Sequence, residues 1–210
     1  MMYETVAVIE LAGGLGTRFG EKKQFIEFHG KPIWRHIYDK VITLVPKDNV
    51  VVVGVDVPGG IVRSQSVING LVALKEKEKH YERVVIVEAA RPLVTIEQLK
   101  DIIEDKHKST TYALPLVSTI IKKDGTYLDR NDYFKLSTPV AFDYDLFSAA
   151  YLSDKHYDFT DDTRVMYEHY GLRPYFIEGS ENLLKLTYQS DLVVLETLSQ
   201  KYEIDKSGEV

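Results

Sequence analysis

The chain has 210 residues, 44% apolar and 28% charged, a composition that predicts one soluble domain spanning 1–210 with a sizeable core. A net charge of −6 argues against nucleic acid as a partner, and the absence of cysteine excludes disulfides and thiolate chemistry. No apolar run approaches a membrane span, and no signal-type segment is read near the first strand, so a cytoplasmic enzyme without membrane association is expected.

The apolar run Val6-Ala7-Val8-Ile9 predicts a buried strand, and residues 11–24 follow it. Gly13, Gly14 and Gly16 let the backbone turn sharply and bring its N–H groups up to a ligand. Convergent N–H groups make an anion-binding concavity, and Arg18, Lys22 and Lys23 add positive charge, which together point to a polyphosphate. The nucleoside-triphosphatase loop does not match, because no glycine is spaced for Gly-x-x-x-x-Gly-Lys. The dinucleotide fingerprint fails as well, since Gly20 comes one residue late.

Further on, residues 25–28 read as a short extended piece turned by Gly30, and Pro32 opens a helix carrying Ile33, Trp34, Ile37, Tyr38, Val41 and Ile42. Residues 49–55 predict a second strand, and Pro58-Gly59-Gly60 leads into a helix over about 63–75 with a solvated charge run at 75–79. Residues 83–87 predict a third strand, Thr95-Ile96-Glu97-Gln98 a capping-box helix start, and 111–114 a fourth strand. This alternation implies a Rossmann-like α/β fold, a mostly parallel sheet with helices on both faces. The pattern then breaks: residues 117–138 hold two extended pieces around Lys123-Asp124-Gly125-Thr126, and Asp-Gly signals a protruding β-hairpin arm. Helices are predicted at 143–151, from Thr160-Asp161-Asp162 to Gly171, and at 191–202. Short strands are read at Tyr175-Phe176-Ile177 and Leu184-Lys185-Leu186, with residues 204–210 fraying. The six histidines form no zinc-type pair and read as surface or packing residues.

Ligands of open α/β sheets sit outside the carboxyl ends of the strands. Three clusters are predicted there: the 13–23 loop, residues 59–66, and Glu88-Ala89-Ala90-Arg91. A carboxylate beside a phosphate-binding loop is the usual arrangement for magnesium, so phosphoryl or nucleotidyl transfer is indicated.

Ala12-Gly13-Gly14-Leu15-Gly16-Thr17-Arg18 with Lys23-Gln24, the Gly59–Leu71 stretch containing Arg63 and Ser66, and Ala89-Ala90-Arg91-Pro92 resemble the 2-C-methyl-D-erythritol 4-phosphate cytidylyltransferases. The related ribitol-5-phosphate cytidylyltransferases share much of the pattern, and later matches include Asp129-Arg130, Ser137-Thr138-Pro139 and Lys185-Leu186-Thr187. The resemblance implies transfer of CMP from CTP to a polyol phosphate with release of pyrophosphate, Mg2+ as cofactor, and a homodimer locked by the arm. It implies Arg18, Lys23, Arg130 and Lys185 as catalytic cations, with Arg130 and Thr119 reaching across the dimer. Ala12, Gly13, Gly14, Leu15, Gly16, Gly60, Arg63, Ser66 and Ala89 would hold the nucleotide, and Glu88, where the family usually has Asp, would take the metal-ligand place. The alternatives are transfer to ribitol phosphate or another sugar phosphate for a surface polymer, and a nucleotide-binding dimer without catalysis.

Overall fold

Valine- and isoleucine-rich runs become strands buried on both faces, as a sheet covered by helices on each side requires. The computed structural model describes residues 2–153 and 159–202. The chain runs β1 (Val6–Leu11), the hairpin strands β2 (Glu27–Phe28) and β3 (Lys31–Pro32), α1 (Ile33–Val41), β4 (Val50–Val53) and α2 (Arg63–Lys75). Next come β5 (Arg83–Glu88), α3 (Ile96–Glu104), β6 (Ser109–Pro115) and a small arm of β7 (Ile120–Ile121) and β8 (Tyr127–Leu128). The remainder is β9 (Phe134–Asp143), α4 (Tyr144–Tyr151), α5 (Asp162–Tyr170), β10 (Tyr175–Glu178) and α6 (Asp191–Lys201).

The main sheet has the order β10-β6-β9-β5-β1-β4. It is parallel except for β9, which runs antiparallel to both β5 and β6. On one face Val8 and Val85 meet Ile37 and Val41 of α1 and Leu99 and Ile102 of α3. On the other, Ile9 and Ile86 meet Leu71 of α2, Phe147 of α4 and Met166 of α5. Among the described residues no helix is long and apolar enough to cross a membrane.

Local signals explain most boundaries. Thr95 and Gln98 form the reciprocal capping box of α3, and α2 occupies residues 63–75 as its periodicity predicts. Asp161 caps α5, and Gly171 ends it with φ 69°. The predicted arm is present as the β7–β8 hairpin, turned by Gly125 at φ 91°. It is shorter than 117–138, because Phe134 onward already pairs with β6 in the main sheet.

Three expectations need correction. β9 was not predicted as a sheet strand at all. Its Pro139 argues against a central strand, yet it is accommodated where the register slips between Thr111 and Tyr112. Leu184-Lys185-Leu186 is not a strand but an extended strap with one tie to the turn after β5, Leu186 N–H to Ala90 O at 2.8 Å. The 25–28 piece begins inside a short 3-10 turn, Lys23–Phe25. The 75–79 charge run is a solvated helix end at Lys75, Glu76, Glu78 and Lys79, while Lys77 is half-buried and its ammonium donates to the carbonyls of Asp48 and Val50 at the entry to β4. Residues 204–210 lie outside the described residues.

Glu10 is the conspicuous polar residue of the core. It sits in β1 fully buried, and neither carboxyl oxygen has a hydrogen-bond partner among the described residues. Burial, reinforced by Asp39 and Asp56 and only partly offset by Arg35, pushes its carboxyl well above the usual range. The folded chain therefore keeps a proton that the unfolded chain releases. Stability should fall as pH rises from the ordinary carboxylate range through the raised folded value. Glu10→Gln, which mimics the protonated form, is expected to melt like the wild type at pH ~5 and several degrees higher at pH ~8, at ~2–4 °C per kcal/mol. Parallel melting shifts at both pH values would show that Glu10 is not the titrating group.

Candidate active site

Strand order decides where the site forms. β1, β4 and β5 end at one edge of the sheet, and the loops that leave them surround a cleft of about 570 Å³, within the range of small-ligand sites. Three features of the glycine turn suit it to an anion. First, Ala12 N–H donates to Val53 O at 2.8 Å, and the N–H groups of Phe19 and Gly20 donate to Gly16 O. Between these anchors, the N–H groups of residues 13–18 donate to no acceptor among the described residues. Second, Gly16 has φ 69°, and a Cβ there would lie 1.7 Å from Glu21 O, so only glycine fits. Third, the turn abuts the loop before α2, since a Cβ on Gly13 would come 2.7 Å from Gly59 Cα. Gly60 N–H donates to Ser66 Oγ at 3.0 Å, which ties that second loop to the first turn of α2.

Positive charge converges on the same space. Lys23 is anchored by a hydrogen bond from its ammonium to Leu186 O. Burial, then the charges of Lys185 and Arg18, lower its pKa, so an arriving anion would relieve it. Lys185 Nζ lies 2.7 Å from Glu88 Oε2. Glu88, at the end of β5, also has Arg63 Nε at 3.5 Å and Arg91 Nε at 3.6 Å. Burial alone would raise this carboxyl; Lys185, Arg63 and Arg91 outweigh it and hold the group down at about 2. The carboxylate is thus ionised and outnumbered by cations.

A second buried carboxylate, Asp162, takes hydrogen bonds on Oδ1 from Arg63 and from the Tyr151 hydroxyl. It is fully buried, and it keeps Arg63 charged against the cost of burial. Arg63 is therefore a strut between β5, α2 and α5 that also lines the cleft.

The model of the 2-C-methyl-D-erythritol 4-phosphate cytidylyltransferase family matches residues 6–201 of this chain. The chain belongs to that family. The 2-C-methyl-D-erythritol 4-phosphate cytidylyltransferase of Thermotoga neapolitana is 30% identical over 224 residues, covering 94% of this chain and 98% of its own. That of Clostridium botulinum (strain ATCC 19397 / Type A) is 32% identical over 231 residues, covering 93% and 97%. The structure of the bifunctional IspDF from Campylobacter jejuni superposes with a TM-score of 0.78 at 28% identity and covers 91% of this chain. This chain spans 54% of that bifunctional protein, about half its length.

Within this cytidylyltransferase fold, one cleft gathers nearly all the residues singled out by sequence. Ala12, Gly13, Gly14, Leu15, Gly16, Arg18 and Lys23 come from the glycine turn. Gly60, Arg63 and Ser66 come from the second loop, Glu88 and Ala89 from the end of β5, and Lys185 from the strap. Thr119 and Arg130 do not join them; both are exposed on the arm, where Arg130 donates to Val117 O. Sequence reasoning missed the structural importance of Asp162 and Tyr151. The Thr160-Asp161-Asp162 run reads as a helix cap, which describes Asp161 but not its neighbour. Gln24, adjacent to Lys23, was also assigned no task, yet its side chain reaches the glycine turn.

Among the described residues no group of three or more potential metal ligands comes together. Glu88 nonetheless brings one carboxylate to the cleft. Its Oε2 already faces the Lys185 ammonium at 2.7 Å and the Arg91 guanidinium at 3.6 Å, so a metal would have to share the oxygen with these cations or displace them. One carboxylate oxygen is what magnesium takes where phosphates and water supply the other ligands.

Proposed function

We propose that the protein transfers the cytidylyl group of CTP to the phosphate of 2-C-methyl-D-erythritol 4-phosphate in the cytoplasm, releasing pyrophosphate. The observation that carries this reading is one cleft lined by Arg18, Lys23, Lys185 and a glycine turn whose N–H groups at residues 13–18 donate to no acceptor among the described residues, in a chain of this family. A phosphate oxygen of the acceptor attacks the α-phosphorus of CTP; the bond to the bridging oxygen breaks, and its electron pair leaves on pyrophosphate. No general base is needed, because a phosphate monoester has its second pKa near ~6 and is largely dianionic at neutral pH. The obstacle is bringing two polyanions together, so positioning and cationic stabilisation carry the catalysis. In this reading the N–H groups of the glycine turn seat the phosphates. Lys23, braced on Leu186 O, faces the charge that builds on the α-phosphate. Magnesium, when bound, neutralises phosphate charge, and Glu88 is the residue that would hold it. The three cations around Glu88 favour an ion that arrives on the nucleotide over one bound beforehand.

The acceptor side is proposed to be completed by a second copy of the chain, whose arm would bring Thr119 and Arg130 to the cleft. Exposed Val117, Ile121 and Tyr127 on the arm support a surface meant to be covered. Pyrophosphate release with a panel of acceptors and all four nucleoside triphosphates tests the function. Turnover is expected with CTP and 2-C-methyl-D-erythritol 4-phosphate and not with ATP, GTP or UTP. Turnover on ribitol phosphate alone would replace the acceptor; tight CTP binding without turnover on any acceptor would end the enzymatic reading.

A further inference from the structure

The anion-binding power of the glycine turn depends on which way one peptide bond faces, and a buried side chain decides it. Gln24 Nε2 donates to the carbonyl oxygen of Gly14 at 3.0 Å. Gln24 is only 5% exposed and is held in the short turn Lys23–Phe25, so this donor is fixed in place. A trans peptide is planar, with its C=O and N–H pointing to opposite sides. Drawing the Gly14 oxygen toward buried Gln24 therefore turns the Leu15 N–H the other way, to the exposed side of the turn; Gly14, Leu15 and Gln24 all line the cleft. That N–H donates to no acceptor among the described residues. Among the described residues no other hydrogen bond holds this peptide. A Cβ on Gly14 would meet nothing within 4 Å, so packing neither demands glycine there nor restrains it. Glycine's freedom lets the peptide rotate at little cost. Rotated by half a turn, it would aim the Gly14 oxygen at the phosphates and bury the Leu15 donor, putting an acceptor where the site needs a donor.

We propose that Gln24 is a positioning residue of the nucleotide site, holding the peptide between Gly14 and Leu15 in its anion-binding orientation. Gln24 acts through the backbone, and the inference rests on reading the cleft as a nucleotide site. The test is Gln24→Met, which keeps the length of the side chain but carries neither donor nor charge. Calorimetry with magnesium CTP, and separately with inorganic pyrophosphate, should show affinity lowered about tenfold, the worth of one hydrogen bond to an anion. kcat/KM for CTP should fall by the same factor, with KM for the acceptor and the melting temperature unchanged. In the wild type the Leu15 amide proton resonance should shift on adding pyrophosphate, and in the variant it should shift less. Unchanged affinity for both anions, or equal losses for CTP and acceptor, would overturn the proposal. If the variant does not fold, the wild-type titration decides: a Leu15 amide that shifts supports it, and one that ignores pyrophosphate overturns it. Pyrophosphate binding that moves Leu15 in an enzyme that never turns over CTP would remove the cytidylyl-transfer reading and leave the task of Gln24 standing.

Discussion

Lys23→Ala is expected to lower kcat by about a hundred- to a thousandfold, while CTP affinity changes by only a few-fold. The size follows from the cost of removing one preorganised donor from a site where charge develops in the transition state. The asymmetry follows from the structure. In the proposed reaction the backbone N–H groups of residues 13–18, Arg18 and Lys185 would remain to bind the ground-state phosphates. The Lys23 ammonium, by contrast, is held at one place by Leu186 O and destabilised by burial, by Lys185 and by Arg18. An interaction of that kind is strengthened most when negative charge increases in front of it. Because burial lowers the Lys23 pKa, the alkaline limb of the wild-type pH profile of kcat/KM should begin below the ordinary lysine range. Steady-state kinetics with calorimetry checks both points. Equal losses in turnover and CTP binding would mean that Lys23 merely helps to seat the nucleotide.

Asp162→Ala should be the most destabilising change near the site. It leaves Arg63 buried with only the distant contact to Glu88 at 3.5 Å and strips Tyr151 of its acceptor. Breaking a buried pair from one side costs about 3–5 kcal/mol. At ~2–4 °C per kcal/mol for a domain of this size, melting should drop on the order of 10 °C. Asp162→Asn keeps an acceptor and should fall between the two. Urea denaturation of the three proteins settles the matter; a loss below about 1 kcal/mol for the alanine variant would show that Arg63 finds another partner.

The parts of the fold that are legible in sequence are those whose causes are local. The capping box at Thr95, the αL stop at Gly171 and the Asp-Gly turn of the arm each involve a few neighbouring residues. β9 is different. Its place between β5 and β6 is set by partners far away in the chain, and Pro139 and the register slip hide it from any periodicity argument. The Leu184–Leu186 strap misleads for the opposite reason. Its alternation is real, but Leu186 is buried against Phe28, Leu93 and Leu195, not in a sheet. The site divides in the same way. The glycine turn and its cations announce themselves in one short stretch. The ties of Arg63 to Glu88 and Asp162 join residues far apart in sequence, and no local pattern marks that Glu88 is surrounded by three cations.

Phe19, next to Arg18, packs in one apolar cluster with Leu186, next to Lys185, and with Leu195 of α6. Loops far apart in sequence are thereby joined through a single helix. Truncation after Gly179 would keep every strand of the main sheet. It would lose Lys185, Leu186 and α6, and with them apolar partners of Phe19 beside the glycine turn.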